Sequence, residues 1–367
     1  MNRVFSFLTI KMTKNTPFFL PKNSNTVFYS FNIRKSFNSV ILGHNYQSLN
    51  IFKSSFSKIM EPALFLETNY IYQRITEPLS QTQSTILKEC IFYKIVQISG
   101  NTIYVKCSTG TLSLSDLSFI ECSSGTTRGI VNMEVDVFIC TRSCFISCIG
   151  ECPSLYSSIT QNHVFNYTSE TNLTGIGISS LGAHFVGKNS ISIRNNNNSF
   201  MNFPSDTING CVWYFVHTAN GLIGSYNNAI HNKLMTLIGF HLGGATSSLS
   251  RINFVNNSLR NNGAFGTNCC STGSLSLIEC VFINSTWNKK YANYESHTLI
   301  FSSCFFDFQY TLSRFSGFGT PFCIFSTITS TFSIDENSIF WCLGQEQSKR
   351  YAFIRSSYTI FLYCFVL

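Results

Sequence analysis

The sequence predicts an all-β chain wound as a parallel β-helix solenoid of roughly ten irregular rungs. Three observations carry this reading. Nearly the same dozen residues occur twice, "TLSLSDLSFIEC" from Thr111 to Cys122 and "SLSLIECVFINS" from Ser274 to Ser285. Successive Phe of the pattern lie 24 to 28 residues apart, from Phe92 to Phe119 to Phe145 and from Phe254 to Phe282 to Phe306, a period typical of stacked repeats. Only 11% of the 367 residues are charged, and such Asn- and Ser-rich text with few charges argues against Lys/Glu-rich surface helices.

Each repeat reads as two short strands around a corner. Its first two apolar positions are two residues apart and share one face of a strand. Three residues then precede the next two-apart pair, so the parity breaks and the chain must turn. Leu112, Leu114, Leu117, Phe119 and Cys122 fit this frame, as do Leu275, Leu277, Cys280, Phe282 and Ser285. So do Thr85, Leu87, Cys90, Phe92 and Ile95, then Phe138, Cys140, Ser143, Phe145 and Cys148. Later copies run Leu222, Gly224, Asn227, Ala229, Asn232; Ser247, Leu249, Ile252, Phe254, Asn257; Leu299, Phe301, Cys304, Phe306, Gln309; and Phe332, Ile334, Asn337, Ile339, Cys342. Degenerate copies are expected near Phe165 and Phe200. Asn tolerates positive φ best, so Asn227 and Asn337 are assigned to corners. Stacked copies place Phe on Phe, each rung burying the face of the next. A leucine-rich repeat would need a Leu-x-x-Leu-x-Leu frame, which is absent.

The ends read differently. Residues 1–60 contain no acidic residue but Arg3, Lys11, Lys14, Lys22, Arg34, Lys35, Lys53 and Lys58, and are set apart as a basic, poorly ordered leader, superficially like a transit peptide. Residues 61–84 form an entry segment, 85–345 the solenoid, and 346–367 a tail with a short apolar end. Those eight basic residues account for the whole net charge of +8, so the body is neutral and no nucleic-acid partner is expected. The apolar run in "MNRVFSFLTIK" is cut short by Lys11, a poor secretory signal. Ten helical residues of "YTIFLYCFVL" would span only about 15 Å against a bilayer core of about 30 Å, so no transmembrane helix is expected.

The punctuation in "CFISC" (Cys144–Cys148) and "CVFINS" (Cys280–Ser285) resembles that of pectin-lyase-like right-handed β-helix proteins. In style it is closest to the Cys-, Asn- and Phe-rich families expanded in trichomonad protists. The resemblance covers about residues 84–345. It implies a right-handed solenoid at the cell surface or outside the cell, with a host or cell-surface glycan or protein as partner. The leading functional reading is a non-enzymatic binding or adhesion scaffold. The alternatives are a polysaccharide lyase or hydrolase, and a family member that has lost its activity.

No cofactor or metal site is assigned. In "CTRSCFISCIGEC" the residues Cys140, Cys144, Cys148 and Cys152 recur every fourth position. Four residues span about 13 Å in a strand, so the sulfurs cannot all converge on one metal; they are read as buried thiols of the wall. The pair Cys269–Cys270 reads as a turn. "GAHFVGKNS" has phosphate-loop spacing, but Asn189 stands where Ser or Thr is needed and a strand pattern follows where a helix should. Glu89, Asp116, Glu279 and Glu336 share the corner position before the second strand. Glu89 and Asp116 fall in consecutive rungs, about 5 Å apart, a spacing glycosidases use, and are the only weak catalytic candidates. Arg142, one rung on, is expected to pair with Asp116. Sequons at Asn166, Asn172, Asn197, Asn256 and Asn284 would suit a secreted protein.

Overall fold

The computed structural model describes residues 2–306 apart from short connecting segments, the longest being 68–82; residues 307–367 lie outside the described residues. Every element described is a strand, and every pairing is parallel. The chain is an all-β parallel solenoid. Three strands recur in each turn and stack in three walls. The first wall contains Asn25–Tyr29, Ser48–Phe52 and Ser84–Lys88. The second contains Asn32–Ser36, Ser55–Ile59, Ile91–Tyr93, Ser118–Ile120 and Cys144–Ile146. The third contains Ile41–His44 and Leu64–Glu67. It merges with the first wall where Ile103–Ser115 and Val131–Thr141 each run through both.

The first and second walls follow the sequence frame. The second is a 12-stranded sheet whose strands stack in chain order. Residues equivalent in the repeat are partners: Leu87 pairs with Leu114, Leu114 with Cys140, and Phe92 with Phe119. The frame's inward positions are buried, including Thr85, Leu87, Cys90, Phe92 and Ile95, and Ser247, Leu249, Ile252, Phe254 and Asn257. The Phe rings stack face to face, with centroids 4.8 Å apart between Phe92 and Phe119, 4.7 Å between Phe119 and Phe145, and 4.8 Å between Phe254 and Phe282. A strand spacing of about 4.8 Å imposes that distance. The side chains of Leu275, Leu299 and Phe306, and the copy from Phe332 to Cys342 with Glu336 and Asn337, lie outside the described residues.

Two sequence expectations are corrected. The solenoid does not begin at residue 85: Asn2–Ser6, Asn25–Tyr29 and Ser48–Phe52 already belong to the first wall, in unbroken register with Ser84–Lys88. Leu49, Ile51, Ser54, Phe56 and Ile59 fill the frame and are buried, and Phe56 stacks on Phe92 at 5.1 Å. Basic charge does not oppose the rung pattern, because Lys53 and Lys58 sit at turns with their charges outside. Phe5 and Phe18 pack against the start of the same core.

The second correction concerns the corners. Asn227 is not a corner residue; it is fully buried, at the position equivalent to Cys90 just inside the corner. The corner itself is taken by Ser30 (φ 55°), Lys53 (48°), Glu89 (57°), Asp116 (56°), Arg142 (48°), Tyr167 (54°), Arg251 (53°), Glu279 (53°) and Ser303 (53°). A left-handed conformation costs about 1–2 kcal/mol for a residue with a Cβ. What holds it is the parallel ladder continuing round the turn: Glu89 N–H donates to Ser115 O at 3.0 Å, Asp116 to Thr141 O at 3.1 Å and Arg142 to Asn166 O at 3.1 Å. A second corner column contains Lys94, Glu121, Ser147, Asn172 and Asn256, also at positive φ.

Candidate functional site

The first corner column carries exposed charge and both catalytic candidates. Side chains there project outwards because the backbone hydrogen bonds run along the stack and the inward positions on either side are taken by the core. Arg142 donates through Nε to Asp116 Oδ1 at 2.7 Å and through Nη2 to Oδ2 at 2.8 Å. This bidentate geometry is the tight form of an Arg–carboxylate pair. The carboxylate beside it holds the Arg142 guanidinium even more firmly in its charged form. Glu89 lies 3.9 Å from Lys53 Nζ and 3.7 Å from Lys88 Nζ. Further along, Arg251 Nε meets Glu279 Oε2 at 2.6 Å. On the second corner column Lys94 meets Glu121 at 3.1 Å. Glu89 and Asp116 do occupy successive corners, and each has a cation beside it.

The first three of the four-spaced cysteines fall in one turn of the solenoid but at different places around it. Cys140 points inward from the first wall, and Cys148 lies past the second corner with its thiol 3.6 Å from Phe119 O. Cys140 and Cys148 are buried free thiols, and Cys152 is buried as well. Cys144 departs from the expected thiol stack: it is disulfide-bonded. Burial pushes the Cys90 and Cys140 thiols up to about 12, and the Cys148 and Cys280 thiols well up. Such thiols are protonated at neutral pH and behave as small apolar groups. Among the described residues no three His, Cys, Asp or Glu side chains gather as metal ligands would. Gly182–Lys188, the segment with phosphate-loop spacing, is a third-wall strand paired on both sides. Cys269–Cys270 lies outside the described residues.

One strongly perturbed group of the core is passed over by the sequence reading. Glu170 occupies the Phe position of its rung, paired with Phe145 on one side and Phe200 on the other. It is fully buried. Burial pushes its carboxyl up to about 8, and the Ser154 hydroxyl pulls weakly the other way. The same rung carries a buried His163 in a first-wall slot, its ring 4.9 Å from that of Phe138. The signal was in the text: His163, Phe165, Thr168, Glu170 and Leu173 fit the frame, with Glu in the Phe slot. A strongly shifted carboxyl is a usual mark of a functional site, but this one faces the packed interior, where no polymer substrate can reach it.

Sequon asparagines Asn172 and Asn256 sit at second corners and are exposed. Comparison with family models, with curated proteins and with solved structures finds no match for this chain.

Proposed function

We propose that this chain is a non-enzymatic β-solenoid scaffold, surface-associated or secreted, that binds a glycan or protein through its exposed corners and wall faces. One observation carries the reading: the carboxylates best placed for catalysis, Glu89 and Asp116, are each met by a basic side chain at an exposed corner. A general acid needs a proton at working pH, hence burial or an uncompensated like charge. Glu89 is exposed, and each of the two carboxylates has a cation beside it. The exposed sequon asparagines at Asn172 and Asn256 support a location where glycosylation occurs. Right-handed winding is supported by the crossover rule, which parallel strand–connection–strand units obey in about 98% of cases; an experimental density map of left-handed coils would refute it.

The test is direct. Purified full-length protein incubated with pectin, alginate and similar polymers, with and without Ca²⁺, should release no new chain ends, while a glycan array or cell-surface binding assay should give saturable binding. Cleavage abolished by Glu89→Gln or Asp116→Asn would overturn the scaffold reading in favour of a lyase or hydrolase. Cleavage surviving both changes would equally make the protein an enzyme, with its site elsewhere. Absence of both binding and cleavage would favour a chain that has lost its activity.

A further inference from the structure

Two pairs of cysteines stack directly on one another in successive rungs. Ile120 pairs with Ile146 just before the second corner, and Ser123 bridges to Ile149 just after it. No residue is gained or lost between those two points, so Cys122 and Cys148 are stacked. At the first corner Ile278 pairs with Ser302 and Val281 with Phe305, which stacks Cys280 and Cys304 in the same way. Each of the four cysteines follows a residue held at positive φ: Glu121, Ser147, Glu279 and Ser303. The four corners share one shape, and the four thiols take one direction.

That direction is back along the stack. Cys122 Sγ approaches Phe92 O at 3.4 Å, and Cys148 Sγ approaches Phe119 O at 3.6 Å. Cys280 Sγ meets Leu249 O at 3.7 Å, and Cys304 Sγ meets Leu277 O at 3.2 Å. Each acceptor belongs to the preceding rung, so the later thiol of a pair leans towards its partner. Within each pair the two thiols also hydrogen-bond each other. All four are free thiols and buried. Neighbouring strands lie about 4.8 Å apart, inside the window of about 4.4–6.8 Å between Cα atoms that a disulfide needs. Cys90 and Cys140 differ. Cys90 is stacked between Ser54 and Leu117, and Cys140 between Leu114 and Phe165.

We propose that Cys122–Cys148 and Cys280–Cys304 are two sites of disulfide formation, each stapling one rung of the solenoid to the next. The bond forms by exchange with a small-molecule disulfide such as oxidised glutathione. One cysteine thiolate attacks it, forms a mixed disulfide and releases one small thiol. The partner thiolate then attacks the protein sulfur of that bond and releases the second. The two cysteines lose two protons and two electrons, and the small disulfide takes them up as two thiols. Protonated thiols inside a finished core react slowly, so the exchange accompanies the stacking of the rungs. Each staple closes one whole turn of chain into a loop, which restricts the unfolded state and favours the folded one.

The full chain, reduced and unfolded, is refolded in a mixture of reduced and oxidised glutathione. It is then mapped without reduction, after digestion that puts Cys144, Cys148 and Cys152 on separate peptides. Cys122 should be joined to Cys148 and Cys280 to Cys304, with Cys90 and Cys140 labelled as free thiols. Recovery of any of the four chiefly as a free thiol, or joined to a different cysteine, would overturn the staples. Stability gives a second readout. The oxidised chain should unfold at a higher urea midpoint than the reduced chain, and Cys148→Val combined with Cys304→Val should shrink that difference. An unchanged difference refutes the staples; if the double variant does not fold, the mapping of the native sequence decides alone.

Discussion

Glu170 shows how one residue can set the pH behaviour of a repeat otherwise built from Phe. Its carboxyl is held up near 8 in the folded chain by burial, against an ordinary value of 4.5. Below about 4.5 it is neutral in both folded and unfolded chains and makes no difference. Between 4.5 and 8 the unfolded chain releases the proton and the folded one keeps it, so stability falls as pH rises, by about 1.4 kcal/mol per unit at most. Above 8 both forms are ionised and the loss levels off. Urea midpoints measured across this window should therefore drop with pH in the native sequence. In Glu170→Gln the drop should be much reduced, and an unchanged slope would assign it to another group. Glu170→Leu, similar in volume, should raise stability by about 2 kcal/mol at neutral pH. Corner residues invite a second substitution. Ser147 sits at φ 52° with its N–H donated to Thr171 O at 2.9 Å. Ser147→Gly keeps that bond and relieves the left-handed strain, so it should gain up to about 1 kcal/mol in thermal or denaturant unfolding; a loss of similar size would mean that its side chain holds the corner.

At the scale of the element, the second-wall strand is the unit of stability. These strands are short, Ile91–Tyr93 and Ser118–Ile120 having three residues each, and three residues cannot hold a register by backbone bonds alone. Stacked rings hold it: Phe119 lies between Phe92 and Phe145 with ring planes 8° and 7° from parallel. Phe119→Ala should cost about 3–5 kcal/mol, read as a shift in denaturant midpoint. A loss under about 1 kcal/mol would mean that the ladder closes over the gap. Exposed corner pairs weigh far less. The Arg142–Asp116 pair, with Arg142 about half-exposed, contributes at most about 1 kcal/mol.

For the whole molecule, stacking makes each rung the cap of its neighbour. Removing the first 60 residues would strip the Leu49–Ile51 and Phe56 layer from Leu87 and Phe92. Limited proteolysis of the native chain should therefore leave residues 18–59 attached for as long as residues 84–150 survive. Rapid loss of 18–59 with an unchanged β circular-dichroism signal would show that the rung at Ser84–Lys88 needs no cover.

Much of this was legible in the sequence because the first two walls meet at a corner of constant length. Leu112, Leu114, Leu117, Phe119 and Cys122 keep the same spacing in every copy, so burial of those positions could be read from text alone. The ion pair of Asp116 with Arg142 was legible for the same reason, since equal corners one period apart must stack. The third wall was not, because the connections on either side of it vary in length and Leu64, Ile103 and Val131 share no fixed offset from the Phe ladder. The early rungs were hidden by composition: an acid-free stretch reads as a leader until Lys53 and Lys58 are seen at turns with their charges outside. Sequence determined the period, the ladder and the parallel β class. Only the tertiary structure decided that Glu170, in the Phe slot of its rung, and Cys144, on the outward side of the second wall, are both buried, because burial depends on what the rest of the fold brings to a face that local spacing cannot see.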